Sequence, residues 1–189
     1  MQNLLAHIDK FVALDEKEKQ LVSSSFSVLQ PRKKEHLLEA GKSADRMFFV
    51  LKGCLRLYIH NERGNEQTYQ FIIENWWIAD YLGFHNKSDA LFNIQAVESS
   101  EVAEISRSDF DELLEKVPKL ERYFRLCHQK TVGAAQKRIS YLFSLSAEER
   151  YRNMNDHFPD FVQRVPQYML ASYLDFSAEF LSKIRAGKV

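Results

Sequence analysis

From Lys34 to Ser106 the apolar pattern of this chain runs in short strand-like stretches with a period near two; before and after that segment it takes helical spacing. This change of period constrains the fold more than any figure for composition. An alternating segment buries one face as a strand, whereas recurrence at about 3.6 residues buries one stripe of a helix. Strand-like runs lie at EHLLEA, RMFFVLKG, CLRLYIHN, QTYQFIIE, FNIQAVE and EVAEIS, separated by Gly41, Gly53 and the NERGNE segment around Gly64. Many short strands at regular spacing predict a rolled β-sandwich or barrel. With helices segregated at both ends, the expected class is α+β.

The helical parts carry their own punctuation. Residues 3–12 form a short amphipathic stretch, and Asp15 with Glu18 reads as a capping box for a helix to about Phe26. SRSDFDELLEKV predicts a helix capped by Ser106 and halted near Pro118. The longest helix is expected from about Lys119 to Leu145. Along it Leu120, Phe124, Cys127, Thr131, Ala134 and Arg138 alternate steps of four and three, the seam of a coiled coil. Its small middle, Thr131, Gly133, Ala134 and Ala135, admits a second backbone. A parallel dimer along this seam is the expectation, weighed against one helix lying on one core. A second stripe, Ile139, Leu142 and Phe143, is assigned to the chain's own domain. Ser146 with Glu149 opens a further helix to about His157, and FPDF reads as a link.

The last quarter, RVPQYMLASYLDFSAEFLSKIR, reads as two short helices with a tight break. Pro166 suits a first helical turn, and Met169, Leu170, Tyr173 and Leu174 follow at helical spacing. The break falls at Asp175-Phe176. Ser177 caps the second helix, Glu179 lies in its first turn, and Phe180, Leu181 and Ile184 supply its apolar face. Ala178, Glu179, Ser182, Lys183 and Arg185 point elsewhere. Small Ala171 stands where a second helix would cross closely. This is the plan of a helix-turn-helix, with Asp175 at a turn position that usually holds glycine.

Composition then narrows the functions. No apolar run reaches 18 residues, which leaves no membrane span. The N-terminus MQNLLAHIDKF holds Asp and Lys and lacks a cleavable apolar core, so a cytoplasmic chain is expected. The 2 cysteines, Cys54 and Cys127, read as reduced packing residues and exclude a four-cysteine iron–sulfur cluster within one chain. The 6 histidines (His7, His36, His60, His85, His128, His157) are scattered with no HxH pair, which counts against the cupin-like metal enzyme, the rival reading. No G-x-S-x-G, Walker loop or dinucleotide glycine fingerprint occurs. Residues 1–112 hold 13 Lys and Arg against 18 Asp and Glu; residues 113–189 hold 13 against 8. An acidic front and a basic back suit a C-terminal end that meets a polyanion.

The order of parts, helical start, β-roll, long helix and helix-turn-helix, resembles the Crp/Fnr (catabolite activator) family of transcription regulators over nearly the whole chain. EHLLEAGKSADRMFFVLKGCLRLY is similar to the opening of that family's cyclic-nucleotide-binding-like jelly roll, and ESSEVAEISRSDFDELL to the segment that closes it. The resemblance implies a double-stranded β-roll sensor over 1–118, a dimerisation helix over 119–145 and a DNA-binding helix-turn-helix over 146–189. It implies a homodimer on a two-fold site in double-stranded DNA, with RNA polymerase as a further partner. Ser177, Ala178, Glu179, Ser182 and Lys183 would then enter the major groove, while Arg164, Gln167, Arg185 and Lys188 would hold phosphates. An effector pocket is expected around Trp77, Asp80, Tyr81, Ala90, Leu91 and Thr131. Family members that bind cyclic AMP grip its phosphate with a Gly-Glu pair and an Arg-Ser pair. The matching pairs here are Ala79-Asp80 and Ala90-Leu91. Without the arginine a buried phosphate loses its charge-assisted bonds, so cyclic AMP is not the expected ligand. An unidentified small-molecule effector, or none, takes its place. The family's β-hairpin wing has no counterpart before Val189, which leaves DNA contact to the two helices. The alternative is a sensing module that has lost DNA binding.

Overall fold

The computed structural model describes residues 1–187. Helices α1 (Gln2–Asp9) and α2 (Glu16–Ser25) come first. The capping box opens α2: the Asp15 carboxylate accepts from the Glu18 N–H, and the Glu18 carboxylate accepts from the Asp15 N–H, each at 2.8 Å.

Eight strands follow: β1 (Ser27–Leu29), β2 (His36–Leu38), β3 (Arg46–Lys52), β4 (Leu55–His60), β5 (Glu66–Ile72), β6 (Trp77–Ile78), β7 (Asn93–Ala96) and β8 (Glu101–Ser106). They form two antiparallel four-stranded sheets, ordered β1-β8-β3-β6 and β2-β7-β4-β5. Each sheet draws strands from both ends of the segment, as a double-stranded roll requires. Strand β3 is buried on both faces. Phe48 and Val50 join Leu55, Leu57, Ile94 and Val102 between the sheets, while Met47, Phe49 and Leu51 face the helices. That double burial is why RMFFVLK reads as a continuous apolar run. Gly53, at φ +101°, lies so close to Ser100 that any Cβ there would collide.

The six strand-like runs of the sequence hold β2, β3, β4, β5, β7 and β8; β1 and β6, of 3 and 2 residues, are too short to show a period. A short helix, α3 (Tyr81–Asn86), lies between β6 and β7. After the roll come α4 (Arg107–Lys116), α5 (Lys119–Ser144), α6 (Ala147–His157), α7 (Pro159–Arg164), α8 (Gln167–Leu174) and α9 (Ala178–Arg185). Ser106 and Ser146 cap α4 and α6 as expected. The FPDF segment is not a link but the start of α7, with Pro159 in its first turn, where a fixed φ favours nucleation.

The C-terminal helices do not stand apart from the roll. Cys54 and Val97 share a cluster with Val162, Val165, Met169, Leu170, Leu174 and Leu181. The Ser172 hydroxyl accepts from the Thr68 N–H and donates to the Glu66 carbonyl, both at 2.8 Å, so α8 caps the open edge of β5.

Candidate functional site

Helices α8 and α9 make the expected helix-turn-helix. Asp175 ends α8 in the left-handed conformation (φ 64°, ψ 50°), and the Ser177 Oγ accepts from the Phe180 N–H at 3.2 Å to start α9. Leu181 and Ile184 point into the core with Ala171, which is buried where the helices cross. Glu179, Ser182, Lys183 and Arg185 are left on the exposed side, with Ala178 half-buried beside them. Lys183 and Arg185 have no acidic partner among the described residues. A backbone hydrogen bond and Ser177 hold the Glu179 carboxyl below its usual range, in the first turn of α9, while Lys183 and Arg185 lie in its last turn.

In the roll, Asp80 is buried and its carboxylate collects three backbone donors. Oδ2 accepts from the N–H groups of Leu91 (2.7 Å) and Phe92 (3.1 Å), and Oδ1 accepts from Gly83 (3.0 Å). The two segments matched to the family's phosphate-holding pairs, Ala79-Asp80 and Ala90-Leu91, are therefore in contact through Asp80 and the Leu91 N–H. The other expected pocket residues do not all share one space: Tyr81 and Thr131 line one cavity with Phe110 and His128, and Trp77 and Thr131 line another. Trp77 is a core residue whose Nε1 donates to the Tyr123 hydroxyl at 2.9 Å, and Ala90 packs inside the roll. Leu91 is 62% exposed. Tyr81 is half-buried, packed against His128 with its hydroxyl buried and unpartnered, and Thr131 donates back to the Cys127 carbonyl. Burial pushes the Tyr81 hydroxyl up. Among the described residues, no three His, Cys, Asp or Glu side chains converge to hold a metal.

Helix α5 has two dissimilar faces. Leu120, Phe124 and Cys127 are 1%, 5% and 8% exposed, packed on the chain's own roll. At about 100° per residue, Val132, Gln136, Ile139 and Phe143 fall on the opposite side. There Val132, Ile139 and Phe143 are 56%, 48% and 88% exposed.

Residues 29–117 match the family model of the cyclic nucleotide-binding domain. The anaerobic regulatory protein of Pasteurella multocida is 30% identical over 125 residues, which cover 63% of this chain and 43% of that protein. The fumarate and nitrate reduction regulatory protein of Vibrio cholerae is 25% identical over 170 residues, 81% of this chain and 65% of that one. Among solved structures, the c-di-GMP responsive global regulator CLP of Xanthomonas campestris superposes with a TM-score of 0.75 at 14% identity, covering 92% of this chain and 91% of that chain. FixK2 of Bradyrhizobium japonicum does so with 0.74 at 15% identity, covering 86% and 83%. These matches support a regulator of the Crp/Fnr family. It spans less than half the length of the first relatives it matches, 43% in the Pasteurella case.

Two expectations change in this structure. Arg164, expected on a phosphate, is clasped to the roll: its guanidinium bonds Glu74 at 2.9 and 3.3 Å and Glu98 at 2.6 Å. Both acids lie far away in sequence, which is why the cation looked free. Of the seam Leu120, Phe124, Cys127, Thr131, Ala134 and Arg138, the first three are covered by the chain itself, while Thr131 and Arg138 are half-buried and Ala134 is exposed. Arg138 donates to the Tyr173 carbonyl at 2.9 Å. The stripe assigned inward, Ile139 and Phe143, is the one left bare; Leu142 is half-buried. A heptad pattern shows that a stripe is apolar, not which neighbour covers it. Gln167 is exposed at the start of α8, and Lys188 lies outside the described residues.

Proposed function

We propose that this chain is a homodimeric, DNA-binding Crp/Fnr transcription regulator of the cytoplasm whose roll does not bind cyclic AMP. One observation carries the reading: a helix-turn-helix whose second helix turns Glu179, Ser182, Lys183 and Arg185 outward, with both cations unpaired among the described residues. Lys183 suits guanine O6 and N7, Glu179 a cytosine amine, and Arg185 and Gln167 the phosphates. The exposed stripe Val132, Ile139 and Phe143 supports a dimer along α5, which would set two reading helices on a two-fold site. Gly133 supports it too, since nothing lies within 4 Å of a Cβ built there.

Asp80 supports the exclusion of cyclic AMP more strongly than the missing arginine. Its carboxylate already holds the amides of Leu91 and Phe92, so an incoming phosphate meets a buried anion instead of open donors. Calorimetric titration with cyclic AMP should give no heat of binding; micromolar affinity would overturn this part.

DNA binding is tested by selection from random duplexes followed by gel shift with the purified chain. Lys183→Ala should cost about 1–3 kcal/mol at its preferred base and relax the sequence preference there. No retained duplex in the selection would favour the sensing-module reading instead.

A further inference from the structure

A half-open cleft of about 290 Å³ lies between α5, α6 and the end of α8. Tyr141, Leu142, Met154 and Phe158 make its walls apolar, and Phe158 is 59% exposed at its mouth. Its charges are all of one sign. Lys137, Arg138 and Arg150 line it, and no Asp or Glu does. None of the three cations has a carboxylate partner among the described residues.

Arg150 is largely spent on structure: it donates to the carbonyls of Leu142 (3.3 Å), Leu145 (3.0 Å) and Leu174 (3.1 Å). Arg138 is not. Its Nη2 bonds the Tyr173 carbonyl, its guanidinium stacks 4.5 Å from the Tyr173 ring, and its Nε is buried without a partner. A buried guanidinium N–H without an acceptor is costly, and native structures rarely leave one. An anionic group from outside the chain would answer the unbalanced charge that Lys137 and Arg138 bring to the cleft. The apolar walls would take the rest of such a molecule, since small-molecule sites are mostly apolar with a few placed polar groups.

We propose that this cleft binds a small amphipathic carboxylate, its anionic end on Arg138 and its apolar body against Leu142, Met154 and Phe158. The site is separate from the roll interior and from the Asp80 cassette. Tyr173 and Leu174 are the last residues of α8, one step before the helix-turn-helix turn, so an occupant touches the long helix and the reading head at once. Binding itself needs nothing from the DNA-binding reading; an effect on DNA affinity rests on it.

The test is calorimetric titration of the whole chain with decanoate, 2-naphthoate and decan-1-ol, with gel shift kept as a separate measurement. Saturable binding of a carboxylate at one site per chain is expected, with decan-1-ol at least tenfold weaker. The better of the two acids tells an alkyl from an aromatic ligand. Arg138→Gln should weaken binding at least tenfold. Because that change also removes the bond to α8, a second variant, Ala134→Leu, fills the cleft from α5 and leaves Arg138 in place; it too should lose binding at least tenfold. No saturable binding of either acid up to millimolar concentration overturns the proposal. So does equal affinity for the alcohol, or unchanged affinity in both variants. Carboxylate binding without any DNA binding would leave this site standing and remove the regulator reading alone.

Discussion

The β-roll and the C-terminal helices treat charge in opposite ways. In the roll, several charged groups are answered from within, although Arg56 Nη1 and the Thr68 and Tyr81 hydroxyls are buried without a partner among the described residues. Asp80 takes three backbone donors, the buried Arg56 bonds Glu66 and Gln95 at 2.6 Å each, and Glu74 and Glu98 capture Arg164 from the neighbouring helices. Around α9 and the end of α5, Lys183, Arg185, Lys137 and Arg138 go without acids among the described residues. A charge answered internally specifies the fold, while one left open is available to a partner. The contrast leaves the open cations at the C-terminal end, while the Asp80 carboxylate already occupies its own donors in the roll.

The largest expected effect tests the closed side. Asp80→Ala should cost about 3 kcal/mol, because the amides of Gly83, Leu91 and Phe92 lose an ionised acceptor where water has little access. Denaturant unfolding measures it; a cost below about 1 kcal/mol would mean that the carboxylate is not holding the cassette. Next comes the bare face of α5. Phe143→Glu should leave the fold intact, since that side chain is 88% exposed, yet weaken self-association by about 2 kcal/mol. Sedimentation equilibrium decides: an undiminished dimer would place the interface elsewhere.

Arg164→Ala probes the boundary between the two regions. Its ion pairs are about a third exposed, so the cost should be modest, about 1 kcal/mol. The salt dependence of DNA binding should not change, because the cation holds Glu74 and Glu98 rather than phosphate. A shallower salt slope would return it to the DNA. The pH dependence follows from Glu74. Burial alone pushes its carboxyl up, but Arg164 and the Gly53 N–H outweigh that and hold it below the usual value of 4.5. A depressed carboxyl contributes stability above its unfolded value and loses it as the pH falls through the folded one. The wild type should therefore weaken on acidification below about pH 4.5, and Arg164→Ala should flatten that part of the curve.

What could be read in advance was what neighbours in sequence decide. The capping boxes at Asp15 and Ser146, the Ser106 cap and the Asp175 break each involve residues within a turn of one another, and all are present. What could not be read depends on distant groups. Arg164 finds acids 90 and 66 residues away, and α5 shows the same apolar pattern whichever face meets the roll. Strand β6 has 2 residues and exists only because Phe48 and Phe49 pair with it. The Asp80 cassette was half legible: the family pattern placed Ala79-Asp80 and Ala90-Leu91 at one site, but not the bonds by which the Asp80 carboxylate takes the Leu91 and Phe92 donors itself.

The smallest effect concerns the one acid that stands at the turn of the reading head. Asp175 is exposed, forms no ion pair among the described residues, and holds φ at 64°. A residue with a Cβ pays about 1 kcal/mol or more in that region, somewhat less for Asp, which bonds locally. Asp175→Gly removes that strain but adds freedom to the unfolded chain, so the two terms oppose each other. The net should be a gain of about 0.5 kcal/mol, with the turn bonds from Asp175 N–H to Ser172 and from Phe176 N–H to Ala171 retained. Asp175→Val cannot relax in this way and should lose about 1–2 kcal/mol. If glycine instead destabilises the head while valine does not, the Asp175 side chain has a partner in the folded protein. The division between an internally neutralised roll and an open head would then not extend to the turn.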